Sequence, residues 1–347
     1  TNAIGTDPSV ALYSDGIFSN SMADASTPSL FIERTEVLRG PQGTLYGRNS
    51  IGGAMNIVSK RPTEDFNGEV RAMVGNFESY RLDAMVRGPI LDNLRFLLGA
   101  STERRDKGFI DDIGSGGNAA GIKRYTFEAQ LEADLGDNTT ARLRYTKFDW
   151  NDSYGVGNTF ANNISPYDTT SLSGAGTSAL YYNTTYGLTA PNPGVTNPYV
   201  QNTNSPARGS LKDHHRLHFD VTTDLGWATL KYLGGYQQYN YFTSTDSDLS
   251  GRTAPQSILL NLGGSGAPFA ATNVSTDART FYEERQSWLS NEINLSSNGD
   301  GDLNWIVGLY QYAQDYDQPQ GIRVVGDPSM FQPLTLQGTP SSPNPNG

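Results

Sequence analysis

Few residues of this chain could carry a reaction. It has no cysteine and only three histidines, at positions 214, 215 and 218, so a thiol nucleophile, a disulfide framework and a zinc finger are excluded. If this stretch is a strand, His214 and His218 share a face with Arg216 and Asp220. Two imidazoles and one carboxylate beside a guanidinium make a poor set of metal ligands, and no metal site is expected. No Ser-His-Asp arrangement, carboxylate pair or nucleophile elbow stands out, so the chain reads as a non-enzyme without a cofactor. Gly40, Gly43, Gly47, Gly52 and Gly53 fit no P-loop or dinucleotide spacing and read as tight turns. What remains is charge. Asp and Glu number 36 against 25 Lys and Arg, a net −11, which argues against a nucleic-acid partner because phosphate binding needs a basic face.

The elements that must place these charges are strands. Along Tyr125–Leu135, Tyr125, Phe127, Ala129, Leu131, Ala133 and Leu135 take one face, and Thr126, Glu128, Gln130, Glu132 and Asp134 take the other. This is strict period two, which no helix produces. The same alternation marks Glu69–Val74, Tyr80–Val86, Leu94–Ala100, Ala141–Tyr145, Leu217–Leu225, Ala228–Tyr236 and Leu289–Leu295, and Leu303–Tyr312 is apolar on both faces in places. About nine strands are expected after Phe66. Before it, Val10–Tyr13, Thr35–Leu38 and Ala54–Val58 are short runs among Gly and Pro, as in a small, turn-rich mixed domain.

Tight connections at Pro89–Asn93, Gly136–Asn138, Gly226-Trp227 and Asn298–Asp302 alternate with long ones at Asp106–Lys123, Asp152–Asp213 and Thr245–Arg285. Long connections of this kind are uncommon in a compact soluble domain. No apolar run approaches the roughly 20 residues of a membrane helix, but strands of about ten residues cross a bilayer when tilted. A charge on a lipid-facing strand position costs about 2–4 kcal/mol at the midplane, and one face of each strand stays uncharged. The pattern favours an up-and-down membrane barrel over a soluble sandwich, which also alternates.

Residues Ile32–Pro62 read IERTEVLRGPQGTLYGRNSIGGAMNIVSKRP, and Val10–Ile17 read VALYSDGI. Both closely resemble the plug domain of TonB-dependent outer-membrane receptors, strongly over 1–105 and loosely afterwards, where Gly88–Asn93 (GPILDN) repeats a family phrase. The motif residues are Glu33, Arg34, Glu36, Arg39, Gly40, Pro41, Gly43, Tyr46, Gly47, Gly52, Gly53 and Asn56. The chain departs from the pattern at Phe31, where an acidic residue is usual, and at Thr35, where an apolar one is common.

The resemblance implies a mostly β fold: a small mixed α/β plug (1–62, its later part) followed by antiparallel transmembrane barrel strands (63–347). The family closes about twenty-two strands around a plug, so the chain is expected to be a fragment, with the TonB-binding box outside it. The implied function is active transport of a scarce ligand, a ferric siderophore first and cobalamin or a saccharide second, across the bacterial outer membrane. Plug rearrangement would be driven by the TonB complex and the proton-motive force. A passive porin and a soluble carbohydrate-binding module are the rivals from other classes. Outer-membrane lipid and a small-molecule cargo are the implied partners of a monomer. By position in the plug, Phe18, Asn20, Met22 and Asp24 are the expected ligand-facing residues. Tyr167, Tyr181, Tyr182, Tyr186, Tyr199 and Phe269 are aromatic candidates in the long loops. Plug arginines Arg39 and Arg61 are expected to pair with the barrel acids Glu128 and Glu132, because an Arg in a polar lumen can hold a carboxylate bidentately.

Overall fold

The computed structural model describes residues 10–19, 27–41, 50–114, 117–153, 197, 199–201, 203, 207–246, 256–261, 269–274, 279–299 and 303–325. The first unit holds β1 (Val10–Ser14), β2 (Ile17–Ser19), a 3-10 turn (Ser29–Phe31), β3 (Ile32–Arg39) and β4 (Gly53–Ser59). These strands form a four-stranded sheet in the order β2-β1-β4-β3. β1 runs parallel to β4, and the other two pairs are antiparallel. The helical part of the plug is, among the described residues, this single 3-10 turn: Pro28 opens it at φ −56° and Ile32 leaves it extended. At Gly53 the backbone takes φ 143°, and an added Cβ would lie 2.4 Å from the Leu38 carbonyl oxygen. Only glycine lets β3 and β4 approach so closely there.

After the connection 60–66 come β5 (Asn67–Gly75), β6 (Ser79–Leu91), β7 (Leu94–Arg105), β8 (Ile110–Asp112), β9 (Gly117–Ala119), β10 (Ile122–Asp134) and β11 (Thr139–Ser153). The rest are β12 (Val200–Gln201), β13 (Arg208–Asp224), β14 (Ala228–Asp246), β15 (Gln256–Asn261), β16 (Phe269–Val274), β17 (Arg279–Ser297) and β18 (Ile306–Val325). The nine long ones make one sheet in the order β5-β6-β7-β10-β11-β13-β14-β17-β18, each antiparallel to the next. All nine expected strands are present. They run further than the alternation indicated: Ala141–Tyr145 becomes Thr139–Ser153, and Ala228–Tyr236 becomes Ala228–Asp246. Toward the long connections the outward positions turn polar, as at Lys147 and Asp149, so the ladder continues where the hydropathy pattern has stopped. The long connections carry structure of their own: β12, β8 and β9 form one small sheet, and β15 with β16 a hairpin.

The faces of the large sheet are inverted relative to a soluble protein. On β10, Phe127 and Leu131 are 45% exposed while Glu128 is 0% and Gln130 2%. Leu143, Leu217, Phe219, Tyr236 and Leu289 continue the exposed apolar band on the neighbouring strands. A soluble sandwich buries its apolar face between sheets; here that face is outward and the charged face is covered by the plug. No helix among the described residues is long and apolar enough to cross a membrane.

Candidate functional site: the charged seat of the plug

The β1–β2 hairpin turns through Asp15 and Gly16 alone, with φ 51° and 83°. Positive φ at both central residues is the type I′ turn that Asp-Gly favours. The turn delivers the Asp15 side chain to the barrel wall. Ser59 donates to it from its backbone N at 2.8 Å and from Oγ at 2.7 Å. Arg144 Nη1 donates to Asp15 Oδ2 at 2.9 Å, and Arg142 Nη2 lies 3.4 Å from the same oxygen. Burial alone would raise the Asp15 pKa. The guanidiniums of Arg144 and Arg142 and the two Ser59 hydrogen bonds outweigh it and hold the carboxyl well below the usual range.

The wall arginines are also paired within the wall. Arg144 Nη2 donates to Glu128 Oε2 at 2.7 Å, and Arg142 Nε donates to Asp220 Oδ2 at 2.7 Å. A second plug contact sits nearby: Arg61 Nε donates to Glu132 Oε2 at 2.6 Å, and its Nη2 is 4.0 Å from Asp220 Oδ1. Arg95 closes that group, with Nη2 at 3.2 Å from Glu132 and 2.8 Å from Asp134. Gln130 donates to the Lys60 carbonyl at 2.8 Å. Buried charges persist only when paired in this way.

The expected residues fall in different places. Arg61 and Glu132 are brought together, and Arg39 and Glu128 are not. Arg39 is exposed at the end of β3, whereas Glu128 is fully buried and taken by Arg144, Gln130 and Thr146. The plug partner of that region is an acid, Asp15, so the polarity is the reverse of the one expected. Phe18, expected to face a ligand, is packed inside the plug-wall contact. It lies 5% exposed in β2, with ring centroids 5.8 Å from Tyr13 and 6.0 Å from Tyr312, both edge-on; an aromatic in a short strand buries itself against the wall. Asn20, Met22, Asp24, Gly43, Tyr46, Gly47, Tyr167, Tyr181, Tyr182 and Tyr186 lie outside the described residues. Tyr199 is exposed.

In the motif, Glu36 accepts from Asn56 Nδ2 at 2.9 Å and from Arg34 Nε at 2.8 Å. The Asn56 hydrogen bond, then that of Arg34, lowers the Glu36 pKa. Asn56 Oδ1 in turn accepts from Gly16 N at 3.1 Å, so the motif buttresses the turn that carries Asp15. Glu33 and Gly52 are exposed; Gly40, at φ 81°, and the exposed Pro41 end β3.

The histidines are split by strand alternation, and a bulge precedes them. Asp213 at φ 53° shifts the β13–β14 register between Lys212 and His215. His214 and His218 face inward with Arg216 and Asp220, while His215 faces outward to the Tyr145 hydroxyl at 2.6 Å. His214 sits edge-on to Phe148 and Tyr239, within a buried cluster that includes Leu211 and Trp288. Among the described residues, no group of three or more His, Cys, Asp or Glu could hold a metal ion.

Sequence reasoning did not reach Asp15, Arg95, Arg142 or Arg144 as parts of this seat. The signal was present in the polar face of β11, where Arg142 and Arg144 alternate with Ala141, Leu143 and Tyr145.

Residues 3–54 match the family model described as the TonB-dependent Receptor Plug Domain. The pesticin receptor of Yersinia pestis is 39% identical over 92 residues, 26% of this chain and 13% of that protein. The ferrioxamine B receptor of Salmonella typhimurium is 38% identical over 88 residues, 24% of this chain and 12% of that protein. Among solved structures, the ferric yersiniabactin uptake receptor FyuA from Yersinia pestis superposes with a TM-score of 0.58 at 18% identity, covering 91% of this chain and 42% of that one. The chain thus spans less than half the length of these relatives.

Proposed function

We propose, from the premise that this chain carries the plug domain of the TonB-dependent receptors and the fold of their barrel wall, that it belongs to an active transporter of the bacterial outer membrane whose cargo is a ferric siderophore. The observation that carries the reading is the inverted wall with a plug fastened to its charged face. A passive pore needs no such plug, and a soluble module would not expose the Phe127–Leu131 face. The relatives named for ferrioxamine B and ferric yersiniabactin support iron chelates as the cargo class.

The chemistry is gating and not catalysis. The exposed apolar band contacts lipid, the long connections face outward from the cell, and the short turns face the periplasm. At rest, Asp15 and Arg61 hold the plug against Arg142, Arg144 and Glu132. Force delivered through TonB, supplied by the proton-motive force, must exceed those contacts to open a path.

The test is iron-limited growth of the source bacterium supplied with ferrioxamine B, ferripyoverdine or ferric yersiniabactin, with and without the receptor gene and with and without TonB. Growth on at least one chelate that requires both supports the reading. Growth on every chelate that persists without TonB defeats active transport.

A further inference from the structure

Among the described residues, two glycines on the inward face of the wall, Gly99 and Gly235, each have their missing side chain's place filled by a plug side chain. On β7, Gly99 lies in register between Met85 of β6 and Glu128 of β10. A Cβ added there would be 2.7 Å from Phe31 Cε1 and 3.0 Å from Cζ. Phe31 is 0% exposed and packs with Leu30, Met85 and Leu97, so its ring has no room to swing aside. On β14, Gly235 lies between His218 of β13 and Ser290 of β17. A Cβ there would be 2.5 Å from Ile17 Cγ2. That methyl is on a β-branched side chain, stiff at χ1, and Ile17 is buried. Neither glycine has a positive φ, so turn geometry does not account for them.

The two notches are not random in position. Between β7 and β14 in the sheet lie β10, β11 and β13. Those three strands supply Glu132, Arg142, Arg144 and Asp220, the wall side of the ion pairs. The charged strip is therefore flanked on both sides by an apolar peg in a glycine notch. Ion pairs tolerate a shift of an ångström because guanidiniums re-aim, whereas a ring against a bare Cα does not.

We propose that Phe31 in the Gly99 notch and Ile17 in the Gly235 notch are the positioning residues of the plug: the pegs set where it sits on the wall, and the charges hold it there. This rests on the plug-gated receptor reading, and it assigns the register of the gate to steric fit.

The experiment is a size-swap cycle in the full-length receptor, read by hydrogen exchange of the peptides containing residues 10–19 and 27–41. Gly99→Ala and Gly235→Ala are expected to speed exchange there by about tenfold, through overpacking against a well-packed partner. Gly99→Ala combined with Phe31→Leu, which removes Cε1 and Cζ, is expected to restore slow exchange. Gly235→Ala combined with Ile17→Ala, which removes Cγ2, is expected to do the same. Heat-modifiable gel mobility reports barrel assembly. If a single variant does not assemble, recovery of mobility in its swapped pair supports the proposal and failure to recover overturns it. Unchanged exchange in both single variants, or pairs no slower than the singles, also overturns it. TonB-dependent uptake by the wild type is measured separately, so a failure of the transport reading shows there while the exchange cycle still decides the pegs.

Discussion

Asp15 of the plug and Arg144 of the barrel wall, 129 residues apart, meet at 2.9 Å with side chains only 5% and 2% exposed. The two sides of this contact are not equivalent. Arg144 also holds Glu128, whereas Asp15 is also held by Arg142 and Ser59. Arg144→Ala strands a buried carboxylate on Glu128 and is expected to destabilise by about 3–5 kcal/mol. Asp15→Asn leaves Arg144 its Glu128 and keeps the turn, and is expected to cost about 1.5–3 kcal/mol, the range for hydrogen bonds to charged groups. Denaturant unfolding with a plug-specific probe measures both. Equal losses would contradict the asymmetry.

The depressed Asp15 pKa sets a pH dependence. Its folded value lies below its unfolded one, so its contribution is fully present above the ordinary carboxylate pKa of about 4. It is lost only as pH falls from there through the folded value. Plug protection from protease is expected to stay constant from neutral pH down to about 4 as far as this group is concerned. The decline below that should be smaller in Asp15→Asn.

Glu128 should couple to Arg144 and not to Arg39. A double-mutant cycle of Glu128→Gln with Arg144→Ala is expected to give an interaction of about 0.5–3 kcal/mol. The same cycle with Arg39→Ala should be additive within about 0.5 kcal/mol. Coupling to Arg39 of the larger size would restore the polarity expected from sequence.

Leu131→Arg places a cation on the exposed apolar face. It is expected to cost about 2–4 kcal/mol near the bilayer midplane and to reduce the heat-modifiable species recovered from membranes. Full recovery would show that this face does not meet lipid.

Gly53→Ala tests the plug alone. Its Cβ would lie 2.4 Å from the Leu38 oxygen, so β3 and β4 must part. Faster hydrogen exchange in residues 32–39 with unchanged barrel mobility is the expected result.

The wall was legible because membrane and lumen impose opposite chemistries on alternate residues. Period two therefore revealed all nine strands and assigned Glu128 and Glu132 to the inner face. The strand ends were not legible, since outward positions such as Lys147 cease to be apolar before the ladder ends. The seat was half legible. Arg61 and Glu132 could be nominated by sign, but the meeting of Asp15 with Arg144 depends on how the plug docks, which no local pattern encodes. The Asp213 bulge, which leaves Lys212 and Asp213 both exposed between inward Leu211 and His214, is one residue long and left no mark on the periodicity.

Each wall arginine at the seat keeps a wall carboxylate of its own: Arg144 has Glu128, Arg142 has Asp220, and Arg95 has Glu132 and Asp134. Withdrawal of Asp15 and Arg61 therefore orphans no guanidinium in the wall. The departing groups are the ones that gain water. On the proposed gating, such a latch would reset itself: the wall pairs do not depend on the plug, so a returning plug would meet the same partners it left.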